Sequence, residues 1–186
     1  MEEEPVANFE SIVEWLLYIE DDKHTPGKIV NEGDGAGFTR LGITSKNYGS
    51  ITPPGFFTNM PFTMAVQVAK SIYQNQYWHH INGDRIVSDQ VAAPLLSFAV
   101  NRNIPTAVKH LQSVLGVEQD GVLGLVTIAE LNQKDPNAVA AQFRAEWINY
   151  YQKAAANNPN DAKFLDGWIN RANFPFPSPL VPHIYG

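Results

Sequence analysis

The sequence predicts a mainly α protein with a small N-terminal loop and β-hairpin lobe and a larger helical lobe. Three observations carry that reading. Apolar residues recur at i, i+3 and i+4 in several separate segments, the signature of amphipathic helices. Residues 20–60 are instead rich in Gly, Pro, Asn and Asp, a stretch too long to be a mere connection in a compact domain and therefore expected to be functional. From Pro61 onward the pattern is helical almost without pause, until four prolines fall within residues 175–182.

The elements follow in order. Phe9, Ile12, Val13, Leu16 and Leu17 line one side of a first helix that runs into Glu20. Loops follow, with a short hairpin expected around Phe38 to Thr44. Residues 61–78 place Ala65, Val68, Ala69, Ile72 and Tyr73 on one side of a second helix. Residues 89–100 are apolar nearly all round, as in a central buried helix. Pro105 suits a first turn, Val108, Leu111 and Leu115 face inward, and Gly116 is a natural stop. A short helix follows Gly124. Asp135-Pro136 reads as a cap and first-turn pair for a helix carrying Phe143, Trp147, Ile148 and Tyr151, broken by Asn157-Asn158-Pro159. Phe164, Leu165, Trp168 and Ile169 mark a last helix, and the proline-rich tail is expected to be extended. Three regions result: 1–88 with the Glu-bearing helix and hairpin, 89–174 as a helical lobe packed as one unit with the first, and the tail 175–186.

Composition narrows the function. The 186 residues contain no cysteine, so disulfides and thiol chemistry are excluded. A net charge of −6 argues against nucleic acid, whose binders carry a basic footprint. No apolar run reaches the length of a membrane helix, so stable membrane insertion is not expected. Met1-Glu2-Glu3-Glu4-Pro5 lacks the basic and apolar regions of a secretory signal, which leads to the expectation of synthesis in the cytoplasm and action on the wall after release. No metal or other cofactor is expected, and a monomer is favoured.

Glu20 is the first candidate for chemistry. At about 100° per residue, it projects within roughly 20° of Phe9 and Val13, on the buried side. Loss of water there favours an uncharged carboxyl, the state that a general acid needs. The structural alternative is a helix end fraying into solvent or paired with Lys23. Asp21 and Asp22 read as a solvated helix end rather than a metal site. Asp34 and Thr39 are the useful partners, because the small Gly35-Ala36-Gly37 between them allows close approach to the backbone. An acid on a helix facing an aspartate from a following loop matches an inverting glycosidase, with one carboxyl protonating the leaving oxygen and the other aiding a water. Thr39 would hold that water by its hydroxyl. A plain turn explains the same residues structurally.

The segment "IEDDKHTPGKIVNEGDGAGFTRLGIT" resembles the N-terminal part of glycoside hydrolase family 108. Asp34, Gly37, Thr39, Gly42, Ile43 and Thr44 match the family's Asp-x-x-Gly-x-Thr-x-x-Gly-Ile-Thr pattern, and Glu20 matches the glutamate at the end of its first helix. "IYQNQYWHHINGD" is similar to the family's Tyr-x-x-x-Tyr-Trp stretch. Residues 95–131 and "FLDGWINR" resemble its C-terminal predicted peptidoglycan-binding region. The resemblance implies a lysozyme-like fold and an N-acetylmuramidase that cleaves the β-1,4 bond between N-acetylmuramic acid and N-acetylglucosamine, with Glu20 as proton donor. It implies peptidoglycan glycan strands as the partner. The missing secretory signal makes a phage or prophage endolysin the best-fitting role, and a secretion-system effector or toxin-like wall hydrolase would look the same at this level. Glu20-Asp21-Asp22-Lys23 stands where the family has Glu-Gly-Gly-Tyr, which keeps a non-catalytic peptidoglycan-binding protein as the alternative. A hydrolase of chitin or chitosan is the other.

Substrate-binding candidates are Tyr77 and Trp78, as a sugar-stacking platform, and Asn101, whose amide either caps its helix or bonds an N-acetyl group. Trp78 is balanced between cleft and core, and Tyr73 reads as core. Asp120-Gly121 reads as a structural turn, His79-His80 as a surface pair, and Trp147 and Trp168 as packing.

Overall fold

The computed structural model describes residues 6–21, 24–31, 33, 35, 37–181 and 183–186. Helix α1 spans Phe9–Glu20 and opens on Asn8, whose side chain accepts from the Ser11 N–H. Three short antiparallel strands follow in the order β1 (Val30–Asn31), β2 (Phe38–Arg40) and β3 (Ile43–Thr44). The expected hairpin is β2–β3, with Arg40 opposite Ile43. Its turn is Leu41-Gly42, both in the left-handed region, as tight hairpins demand. The pairing of β1 with β2 at Val30–Thr39 adds a strand that the alternation had not announced, because two residues are too few to show a period.

Helix α2 is Ser45–Tyr48, and α3 is Phe62–Tyr73. A π-turn, Gln74–Trp78, prolongs α3. The central α4, Asp89–Asn101, is buried along most of its length. It packs against α5 (Ile104–Leu115) and α7 (Pro136–Asn157). The short α6 is Leu125–Asn132, α8 is Pro159–Ala162, and α9 is Leu165–Asn173. Gly116 ends α5 in the left-handed conformation, and Asp135 accepts from the Ala138 N–H at the head of α7; both follow the sequence reading.

The core runs from Ile12, Leu16 and Leu17 of α1, through Leu95, Leu96 and Phe98 of α4, to Phe143, Trp147 and Tyr151 of α7. Phe98 stacks on Trp147 with ring centroids 5.0 Å apart. At the Asp120-Gly121 turn, buried Gln112 donates to Asp120 and accepts from the Gly121 N–H, and that hydrogen bond draws the Asp120 carboxyl below its usual range. The architecture is the expected one: mainly helical, with a small antiparallel sheet beside the end of α1.

The tail departs from an extended strand. It folds back over α1, where the Trp15 indole donates to the Pro175 carbonyl at 2.7 Å and Phe176 meets the Trp15 ring edge-on. It ends in a 3-10 turn, His183–Tyr185, whose Tyr185 is buried. Four prolines exclude a helix, but aromatic side chains between and beyond them bury apolar surface that a solvated strand would expose.

Candidate active site

Glu20 closes α1 where the helix meets the sheet. Its side chain is 16% exposed, and it lines two adjoining clefts. One, of about 310 Å³, is bounded by Asp21, Lys28, Val30, Thr39, Arg40, Leu41 and Gly42. The other, of about 210 Å³, is lined by Gly42, Thr44, Asn47, Tyr48, Tyr73, Tyr77 and Asn101 among others. Gly42 separates them. Its φ is +74°, and an added Cβ would lie 2.7 Å from the Glu20 Cβ and overlap the Tyr73 hydroxyl. Only a residue without a side chain lets the hairpin close against the carboxyl in this way.

The surroundings of Glu20 are not the purely apolar ones that the helical wheel predicts. Arg171 of α9 donates from Nη2 to Glu20 Oε1, and its own side chain is 10% exposed. Arg171 also donates from Nε to Ser97 Oγ at 3.0 Å and from Nη2 to the Ser97 carbonyl at 3.3 Å. Burial opposes the guanidinium charge, but Glu20 outweighs it and holds Arg171 above its ordinary value. The wheel reports burial correctly; a cation 151 positions away lies beyond its reach.

The other candidates divide. Thr39 is half-buried on β2 and shares the first cleft with Glu20. Asp34 lies outside the described residues. Tyr77 lines the second cleft and its hydroxyl is 2.6 Å from that of Tyr48; burial and this hydrogen bond push its phenol up. Tyr73 is buried and donates to the Leu41 carbonyl at 3.0 Å, and burial followed by the nearby Glu20 raises it well above the ordinary phenol range. Asn101 lines the second cleft and a third, of about 270 Å³, that also contains Trp168 and Arg171. Its Oδ1 accepts from the Tyr151 hydroxyl.

Trp78 is corrected from cleft to core. Its ring is fully buried, packs on Phe9 and donates from the indole to Asp84 at 2.7 Å. It is the last residue of the π-turn, and as the immediate neighbour of Tyr77 it points to a different side of the helix. Asp21 is corrected as well. It is 8% exposed, and its Oδ2 accepts from the Gly27 N–H at 2.7 Å and from the Tyr185 hydroxyl at 3.0 Å. His79 and His80 are exposed, and His110 is 3.5 Å from Glu146.

Sequence reasoning passed over Arg171, Arg40, Tyr48 and Asn47. Arg171 had a local signal: it follows Trp168 by three positions and so shares its helix face, where a solvated arginine is out of place. A larger groove of about 450 Å³, between Ile51, Pro53 and the outer side of α3, contains amides and apolar groups but no ionisable side chain. The smaller clefts at Glu20 offer a carboxyl that this groove lacks.

Residues 24–102 match the family Glycosyl hydrolase 108, and residues 106–173 match the Predicted Peptidoglycan domain. The first match begins after Glu20, so that residue stands on its position in the fold. No curated protein matches. Among solved structures, the chain is similar to that described as "Structure of Brucella abortus SagA", with a TM-score of 0.67, 25% identity and 88% of each chain covered. Of the chain's described residues, no helix is long and apolar enough to cross a membrane. A region matching Glycosyl hydrolase 108 runs directly into one matching a predicted peptidoglycan domain, and together they make the chain a glycoside hydrolase acting on peptidoglycan.

Proposed function

We propose that this peptidoglycan hydrolase is an N-acetylmuramidase that cleaves the β-1,4 bond between N-acetylmuramic acid and N-acetylglucosamine, with Glu20 as general acid. The observation that carries the reading is the Glu20 carboxyl at the junction of two clefts. A glycan strand lying across Gly42 would bring a glycosidic oxygen to it. Glu20, paired with Arg171 in the free protein, takes up a proton as the strand binds and gives it to that oxygen, and the guanidinium then compensates the charge that returns to the carboxyl. Thr39, on the other side of the same cleft, holds the attacking water, and Asp34 acts as its base. Tyr77 and Asn101 hold the neighbouring sugar, the first by its ring and the second by its amide. In this reading the protein is a phage or prophage endolysin that reaches the wall after release from the cytoplasm.

Glu20→Gln tests the assignment, since it keeps the shape and removes the proton. Release of reducing ends from purified cell walls should fall on the order of 10²-fold or more, with wall binding retained. Mass spectrometry of the products distinguishes the bond: reducing N-acetylmuramic acid ends support the proposal, and reducing N-acetylglucosamine ends refute it.

A further inference from the structure

The tail lies beyond both family matches, which end at residue 173. Its last ring nonetheless reaches the residue beside the candidate acid. Tyr185 is 1% exposed and packs 6.0 Å from the Phe62 ring. Its hydroxyl donates to Asp21 Oδ2 at 3.0 Å. The same oxygen accepts from the Gly27 N–H, and the Asp21 N–H caps α1 by donating to the Leu17 carbonyl at 2.9 Å. The Gly27 carbonyl in turn accepts from Arg40 Nε at 2.9 Å, while Arg40 Nη1 donates to the Phe56 and Met60 carbonyls. Burial lowers the Arg40 guanidinium, and Asp21 works against that.

These bonds form one buried brace. It joins the end of α1, where Glu20 sits, to β2, where Thr39 sits beside Arg40. Asp21 is its hub, and Asp21 and Arg40 both line the first cleft with Glu20. At the start of the tail, Trp15 holds Pro175 and meets Phe176 edge-on, so the tail is strapped to the helix that carries the acid.

We infer that Tyr185 is a positioning residue for the hydrolysis: by donating to Asp21 it fixes the end of α1 and so the direction of the Glu20 carboxyl across the cleft. The inference rests on Glu20 being the acid. Misdirecting a catalytic group by a fraction of an ångström lowers the rate of the chemical step more than it weakens substrate binding.

The test compares Tyr185→Phe, Asp21→Asn and the double variant in the full chain, using soluble glycan fragments so that kcat and KM separate. Tyr185→Phe keeps the ring and removes only the donor, so the fold is expected to persist, and circular dichroism verifies it. The expected result is a fall in kcat of about 5-fold with KM within about twofold. The double variant should be no slower than Asp21→Asn alone, because both changes sever one connection. A lowered thermal midpoint with wild-type kcat would make the tail a stabilising strap and overturn the inference, as would losses that multiply in the double variant. Glu20→Gln, run alongside, separates the two readings. If it is fully active, both fail; if it is inactive while Tyr185→Phe keeps the wild-type kcat, only the role of Tyr185 fails.

Discussion

Arg171 and Glu20 are 151 positions apart in the chain and form a mostly buried ion pair. Arg171 belongs to the stretch matching the Predicted Peptidoglycan domain, and Glu20 closes the helix that precedes the hydrolase match. The helical half is therefore not only a neighbour of the site, since it supplies a side chain that touches the candidate acid. Ser97 of α4 braces Arg171 from behind.

Removing the guanidinium leaves a carboxyl facing an uncompensated, mostly dry space. Arg171→Met is expected to destabilise the protein by about 3 kcal/mol and to lower turnover more than 10-fold. Urea unfolding and reducing-end release measure the two effects. Arg171→Lys, which keeps the charge but loses the fork that reaches both Glu20 and Ser97, should fall between it and wild type.

Gly42→Ala places a methyl group against Glu20 and the Tyr73 hydroxyl in a backbone conformation that disfavours any Cβ. We expect a loss of about 2 kcal/mol in stability and a larger proportional loss of kcat than of substrate affinity. Thermal unfolding together with steady-state kinetics checks this, and unchanged kinetics would show that the hairpin does not set the acid's position.

Trp78 is core, so its replacement should be felt as lost packing. Trp78→Ala should cost about 3–5 kcal/mol, and Gly83→Ala, whose methyl would overlap the indole, about 2 kcal/mol. Tyr77→Ala should instead raise KM several-fold with a smaller change in stability, because that ring borders the cleft. Denaturant titrations set beside KM measurements separate the two classes.

Tyrosines give the protein an alkaline limit. Burial raises Tyr73, Tyr77 and Tyr185, and takes Tyr151 to about 12. An unfolded tyrosine ionises near pH 10, to within about a unit. A folded state that holds these protons more tightly is fully stabilised below that pH, and the contribution drains away as pH climbs through the folded values. Helix content should therefore be lost between about pH 10 and 12, together with a cooperative rise in phenolate absorbance. A gradual rise at constant circular dichroism would contradict this.

The local code of the chain determined its longer helices, though not the one-turn α2 and α8, together with the caps at Asp135 and Gly116, the Phe38–Thr44 hairpin, and the burial of the helix face on which Glu20 lies. Periodicity and turn chemistry depend on residues a few positions apart, and for those the sequence is a sufficient description. Tertiary structure alone decided that Arg171 faces Glu20, that Trp78 enters the core while Tyr77 borders the cleft, and that Asp21 is buried beneath Tyr185. A helical wheel shows which face leaves water, but which group meets that face depends on how distant elements pack, and the partners here come from the far end of the chain.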